Sequence, residues 1–232
     1  MDVFDEESVM AQMGRPRQFD RDAALTSAMH LFWEHGYEAT SLSRLKAALG
    51  ISAPSFYAAF GSKEALFQEA VQRYLDTHGT VNDCLWDTAL APRLAIETAL
   101  RRSARMQCES GHPSGCMVVL GVVGTGVDAE TTLTALLDAS RARTGAGLLA
   151  CVERGIAGGE LRPDTDPRAL ATVFESFLLG LTTLARDGAA FATLDAAITQ
   201  VLQLWDAMAL TSAGTAPRDC GSLPALRDSR AG

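Results

Sequence analysis

Apolar residues recur at helical spacing along most of this chain, and the breaks in the pattern fall at glycine, proline and serine. The first stripe, Ala24, Leu25, Ala28, Leu31 and Phe32, predicts a helix from Arg21 to about His35. Phe19 and Asp20 precede it as an apolar staple and an N-cap, and Gly36 stops it. Two short helices follow. Leu42, Leu45, Ala48 and Leu49 mark the earlier one, entered through Ser41 and ended by Gly50, whose missing Cβ suits a left-handed position. Ser52 caps the later one, and Pro54 sits in its first turn, where an absent N–H costs little. Phe56 and Phe60 face inward there, while Ala53, Pro54, Ser55, Tyr57, Ala58 and Ala59 are expected to face outward. A fourth helix starts at Ser62 and runs to about Thr77, seated by Leu66, Phe67, Ala70, Val71 and Tyr74.

The rest of the pattern is helical as well. Pro92 to about Cys108 has Leu94, Ile96, Ala99, Leu100, Ala104 and Met106 as its apolar residues, with Arg101, Arg102 and Arg105 on a solvated face. A long helix is predicted from about Asp128 to Ala157, with Gly145 and Gly147 as points of weakness. Asp166 and Pro167 open the next, which carries a wide stripe through Leu170, Phe174, Phe177 and Leu181 up to Gly188. The last runs from Asp195 to about Leu210 with Ile198, Val201, Leu202, Trp205 and Met208. The expected fold is all-α. An N-terminal three-helix unit is joined through the fourth helix (residues 14–78) to a larger helical domain (79–210), and residues 1–13 and 211–232 are tails.

Two short helices joined at Gly50 form the pattern of a helix-turn-helix, whose second helix enters the DNA major groove. The net charge of −8 argues against DNA until its distribution is counted. Residues 1–13 hold four acids and no Lys or Arg, whereas 14–78 hold seven basic and seven acidic residues. Arg15, Arg17, Arg44, Lys46 and Lys63 cluster near the expected DNA face. A basic arm at Arg15 and Arg17 can reach a minor groove or backbone; it is also what a plain solvated tail looks like. Lys63 at a helix N-terminus is disfavoured by the dipole unless a phosphate lies beside it, so it is either a phosphate clamp or an exposed lysine without a role. Tyr37 is expected to pack, and His30 and His35 to be surface or cap residues.

At this point the resemblance is specific. The run from Gly14 to Tyr74, roughly a quarter of the chain, resembles the DNA-binding domain of the TetR/AcrR family of transcriptional regulators. Phe19 and Asp20, then ALTSAMHLFWEHGYEATSL, then LKAALGISAPSFYAAFGSKEALF carry it. The resemblance implies a ligand-responsive repressor that binds a palindromic double-stranded operator as a homodimer, with its recognition helices about 34–36 Å apart. Ser41, Tyr57 and Lys63 match the family's phosphate-contacting positions. Ala53 and Pro54 are candidates for apolar base contacts, and Ser43, Arg44 and Ser55 for polar ones. Ala53, Ala58 and Ala59 cannot hydrogen-bond base edges, so readout falls on Arg44, the arm and DNA shape.

The second domain would enclose an apolar cavity for a small effector, with Trp86, Met106, Met117, Phe174 and Phe177 as candidate lining. Two apolar C-terminal helices exceed what a monomer's surface tolerates. Leu170, Phe174, Phe177, Leu181, Ile198, Leu202 and Trp205 are therefore expected in a dimer interface. A helical ligand carrier or protein-interaction module without DNA binding is the alternative, and no nucleophile–base pair or phosphate loop suggests an enzyme.

Five cysteines, an odd number, suit reduced thiols. Cys108, His112 and Cys116 are evenly spaced, which raises metal or redox sensing. Gly111, Pro113 and Gly115 break any shared helical face, and the plainer expectation is a loop ending in an N-cap at Ser114. The glycine-rich run Gly121–Gly126 reads as a helix end and loop, not a dinucleotide site. No cofactor and no metal are expected. With no signal peptide and no apolar run of bilayer length, a cytoplasmic protein without a membrane partner is expected.

Overall fold

The computed structural model describes residues 19–120 and 134–210. Among these residues the chain forms helices α1 (Arg21–Ala39), α2 (Leu42–Leu49), α3 (Ala53–Phe60), α4 (Lys63–Thr77), a 3-10 helix (Gly79–Trp86), α5 (Pro92–Cys108), α6 (Met117–Leu120), α7 (Ala135–Ala157), α8 (Pro167–Arg186) and α9 (Phe191–Met208). The sole pairing of strand type among them is an isolated antiparallel bridge between Leu161 and Ala209. The arm residues Arg15 and Arg17, the run Gly121–Gly126 and both expected tails lie outside the described residues, as do the first turns expected of the long helix.

The caps expected for α1–α4 are those observed. The Asp20 carboxylate accepts from the amides of Asp22 and Ala23. Ser41, Ser52 and Ser62 accept from Arg44 N, Ser55 N and Ala65 N in turn. Gly50 is left-handed at φ 65°, and Gly36, at φ 76°, interrupts α1. Three residues beyond that break, Tyr37 to Ala39, nonetheless continue α1. Thr40, fully buried, donates its hydroxyl to the Gly36 carbonyl at 2.7 Å and closes that turn.

One apolar cluster joins α1–α4 around Phe32, Trp33, Phe56, Phe67 and Tyr74. Met106, Met117, Val118, Leu120 and Leu137 belong to this same cluster. Packing therefore runs without a break across the boundary expected at residue 78. The second cluster ties α5, α7, α8 and α9 together around Ile96, Leu100, Leu148, Phe174, Ile198 and Trp205.

The glycines of α7 do not weaken it. A Cβ at Gly147 would stand 3.0 Å from Leu85 Cβ, and one at Gly155 would stand 2.6 Å from the Trp205 ring, so these positions admit close neighbours. The α5 arginines are structural. Arg93 bridges to Glu97 and Asp206, and Arg101 pairs with Glu97 and Asp195. Leu94, expected inward, is exposed, as is Ala48 of α2.

The apolar C-terminal stripe divides differently from the expectation. Leu170, Phe174, Leu181, Ile198, Leu202 and Trp205 are at most 2% exposed within a single subunit, and Phe177 is partly buried against the same cluster. They pack α8 and α9 onto α5 and α7, so they are not available to a second copy. What α8 presents outward is a thinner stripe through Val173, Gly180 and Leu184, and α9 presents Leu204. By length and composition alone α8 is long and apolar enough to cross a membrane, contrary to the expectation that no such run exists. Its oily half is occupied by the core, and Thr172, Ser176 and Thr183 lie on the other.

Candidate nucleic-acid interface and regulatory cavity

The α3 helix follows α2 after three residues and is held by two side chains, Phe56 and Phe60, both buried. Arg21 clamps its far end from α1. The Arg21 Nε donates to the Ala59 carbonyl at 3.2 Å, its guanidinium forks onto Glu69 at 2.7–2.8 Å, and it lies over the Phe60 ring. What remains outward on α3 is Pro54, Ser55, Tyr57 and Ala58, with Ala53 half-buried. Tyr57 is 52% exposed, an unusual position for a tyrosine unless something covers it. Ser41, Ser43 and Arg44 are exposed at the start of α2. The Ser41 and Ser55 hydroxyls also serve locally, as the cap of α2 and as a partner of Ser52 Oγ at 2.9 Å.

Lys63 opens α4. Its Nζ lies 4.1 Å from the centroid of the Tyr37 ring, which packs on Phe32 and Phe67 as expected. Burial lowers the Lys63 pKa against the opposing pull of Glu38. The ammonium is thus positioned by an aromatic face at the N-terminus of a 15-residue helix, with no carboxylate in a salt bridge to it among the described residues.

A cavity opens at the other end of α4. It contains about 560 Å³ of space between its walls, its open mouth included. Tyr74 and His78 line it from α4, Ser103, Met106 and Gln107 from α5, Cys116 and Val118 near α6, and Glu175, Leu178 and Thr182 from α8. Of the lining expected from sequence only Met106 is there. Phe174 and Met117 are fully buried in the two cores, Phe177 packs against the second core, and Trp86 is exposed beside Gly147 and Arg143. Sequence reasoning passed over Ser103 and Gln107. The signal was present: both lie four residues apart on the buried stripe of α5, where a polar residue needs a reason.

The cavity is wired to α4. The Tyr74 hydroxyl donates to Cys116 Sγ at 3.2 Å, and Ser103 Oγ donates to Asn82 Oδ1 at 2.9 Å. Burial raises the Tyr74 phenol well above its ordinary range and pushes the Cys116 thiol up, so the phenol keeps the proton it donates and the thiol stays neutral. Cys84, Cys108, Cys116 and Cys151 are free thiols, and the described residues contain no group of three or more His, Cys, Asp or Glu that could hold a metal. The loop before α6 enters that helix at Cys116, whose carbonyl accepts from Leu120 N at 2.9 Å, two residues past the expected cap. His112 of this loop stacks on Trp33 of α1 at 4.6 Å, and His78 meets both rings edge-on. His30, expected at the surface, is half-buried in the same neighbourhood, and His35 lies beside Glu34 at 3.8 Å.

A capped helix-turn-helix with an outward second helix, joined by one helix to a cavity-bearing bundle, defines a DNA-binding regulator. The comparisons agree. Residues 24–70 match the model for bacterial regulatory proteins of the tetR family, and residues 93–201 match the tetracyclin repressor-like C-terminal domain. The chain belongs to the tetR family of transcriptional regulators. It is 34% identical over 203 residues to the HTH-type transcriptional repressor ComR of Escherichia coli, covering 85% of this chain and 94% of that protein. It is 37% identical over 110 residues to the repressor BdcR of the same organism, covering 47% of this chain and 55% of BdcR. Among solved structures, a cysteine mutant of the TetR family regulator CifR complexed with 26-bp double-strand operator DNA is 41% identical, with a TM-score of 0.71 over 82% of this chain and all of that one.

Proposed function

We propose that this protein is a repressor that binds a palindromic operator as a homodimer and releases it when a small, largely apolar effector enters the cavity beside α4. The outward face of α3 carries the reading: Pro54, Ser55, Tyr57 and Ala58 are exposed on a helix whose other side is fully anchored. Tyr57, with Ser41 and Lys63, contacts phosphate; Ala53 and Pro54 meet base methyl groups; Ser43, Arg44 and Ser55 supply polar contacts, and Arg15 and Arg17 the arm. The same kind of complex is described for CifR with its operator. The protein acts by binding, without a catalytic step, and in the cytoplasm where its DNA lies. The names of its relatives, transcriptional repressors, support that reading.

Regulation follows from α4. Its 15 residues span about 22 Å, with Lys63 at one end and Tyr74 near the other. A ligand that spreads Tyr74 and His78 from α5 tilts this rod and misplaces α3, and it favours whichever state it binds more tightly. Residues 14–78 and 79–210 are functional divisions in this scheme, although their packing is continuous.

A gel shift with the DNA flanking the protein's own coding region tests the proposal. Binding that depends on a palindrome and weakens steeply with salt is expected. A protein that ignores this DNA at low salt would instead be a ligand-binding module.

A further inference from the structure

The inference rests on the cavity beside α4 being the effector site. Gln107 is 2% exposed, yet its Oε1 has no hydrogen-bond partner, and it lines that cavity. A buried acceptor left open is costly to the fold, so a ligand donor aimed at it is favoured twice over. A second acceptor faces the same space. Glu175 lines the cavity from α8, and its carboxylate is seated against the bare α-carbon of Gly145, where a Cβ would stand 2.9 Å from Oε1. No cation pairs with Glu175 among the described residues.

Three donors of the wall are committed elsewhere. Arg141 gives one arm to the Val118 carbonyl at 2.6 Å and another to Asp138. Tyr74 donates to Cys116, and Ser103 donates to Asn82. Met106, Val118 and Leu178 supply apolar wall, and His78, Ser140, Thr144 and Thr182 add polar edges.

We propose that the effector is a small molecule with an apolar body and an amine head, whose N–H groups are received by Gln107 Oε1 and the Glu175 carboxylate. A carboxylate head is disfavoured, because it would meet the Glu175 carboxylate while the Arg141 guanidinium is already engaged by Asp138 and Val118.

Isothermal titration of the full chain with hexylamine, hexanol and hexanoate tests this. Hexylamine is expected to bind at least about tenfold more tightly than hexanoate, the gain of one charge-assisted hydrogen bond. Glu175→Gln, at a half-exposed position, should shrink that ratio severalfold. Gln107→Leu, checked for folding by circular dichroism, should weaken hexylamine about tenfold. Hexanoate binding as tightly as hexylamine, no binding of any probe, or an unchanged preference in Glu175→Gln would overturn the proposal. The gel shift with the flanking DNA is run on the same samples. Amine selectivity without DNA binding sinks the repressor reading and leaves this one standing; DNA binding without amine selectivity does the reverse.

Discussion

The indole of Trp33 lies flat against the imidazole of His112, with ring centroids 4.6 Å apart and planes 15° apart. This stack joins α1 of the DNA-binding unit to the loop that closes the ligand domain. His78 completes it, edge-on to Trp33 at 5.1 Å and to His112 at 4.9 Å, and stacked on Tyr74 at 5.4 Å. Three of the chain's four histidines, counting His30, thus sit at one junction.

That junction makes stability depend on pH. Burial, then the neighbouring His112, lowers the pKa of both His30 and His78 below the ordinary value of 6.5; Glu109 opposes this weakly at His78. The folded state binds these protons less readily than the unfolded chain. Stability is therefore complete above about pH 6.5 and declines as pH falls through and below that value. Melting temperatures at pH 7.5, 6.5 and 5.5 should show this fall, and His78→Phe should flatten it. A variant with the wild-type pH profile would mean that His78 does not contribute.

The proposed phosphate contacts predict two distinct signatures. Tyr57→Ala and Lys63→Ala should each weaken operator binding by about tenfold or more, the usual worth of a hydrogen bond to a charged group. Lys63→Ala should also reduce the slope of log affinity against log salt by about one per subunit, because one counterion fewer is released. Tyr57→Ala should leave the slope nearly unchanged. Both should keep the wild-type circular dichroism spectrum, since Tyr57 is exposed and Lys63 anchors nothing but the face of Tyr37. Wild-type affinity in both variants would refute the contact assignment.

Close packing inside α7 gives a stability test. A methyl group at Gly155 would stand 2.6–2.7 Å from the Trp205 ring, which is 2% exposed and has no room to retreat. Helix propensity alone would reward Gly155→Ala by about 1 kcal/mol. Overpacking should cost about 1–3 kcal/mol and reverse that sign. Urea unfolding should therefore show a lower midpoint for this variant. A raised midpoint would mean that Trp205 moves freely.

The DNA-binding unit was legible because its signals are local. Ser41, Ser52, Ser62 and Asp20 announce helix starts, and Gly36 and Gly50 announce stops, through bonds that span two to four residues. The ligand domain was read less well because its positions are decided between helices. Phe174 and Met106 are both large apolar residues on buried stripes, yet one is core and the other lines the cavity, and spacing along one helix does not distinguish them. Likewise, hydrophobicity marked Leu181 and Trp205 as buried without saying against what. The expectation of a second copy assigned to a dimer what α5 and α7 already supply. Gly145 and Gly147 read as points of weakness because the neighbours packed against them, Glu175 and Leu85, come from elsewhere in the chain.

The outward stripe of α8 bears on how two copies meet. Val173, Gly180 and Leu184 recur at seven and four residues, so they share one face, and Val173 and Leu184 are 41% and 49% exposed. Gly180 is the odd member. It sits mid-helix, where glycine costs about 1 kcal/mol relative to alanine. No heavy atom lies within 4 Å of where its Cβ would be, so nothing inside the subunit requires it. A bare α-carbon on an exposed apolar stripe suits a partner helix that approaches closely. Two substitutions separate this reading from a merely exposed face. Leu184→Glu should weaken dimerisation by about 100-fold or more, since a twofold interface loses two buried leucines at about 1.5–3 kcal/mol each. Gly180→Leu should stabilise the isolated subunit through helix propensity while blocking the approach of the second. Sedimentation velocity should show both variants as monomers at concentrations where the wild type is a dimer. Operator binding should fall with the dimer, because one α3 reads too few base pairs to hold an operator alone. If both variants sediment as wild-type dimers, the subunits pair through another surface.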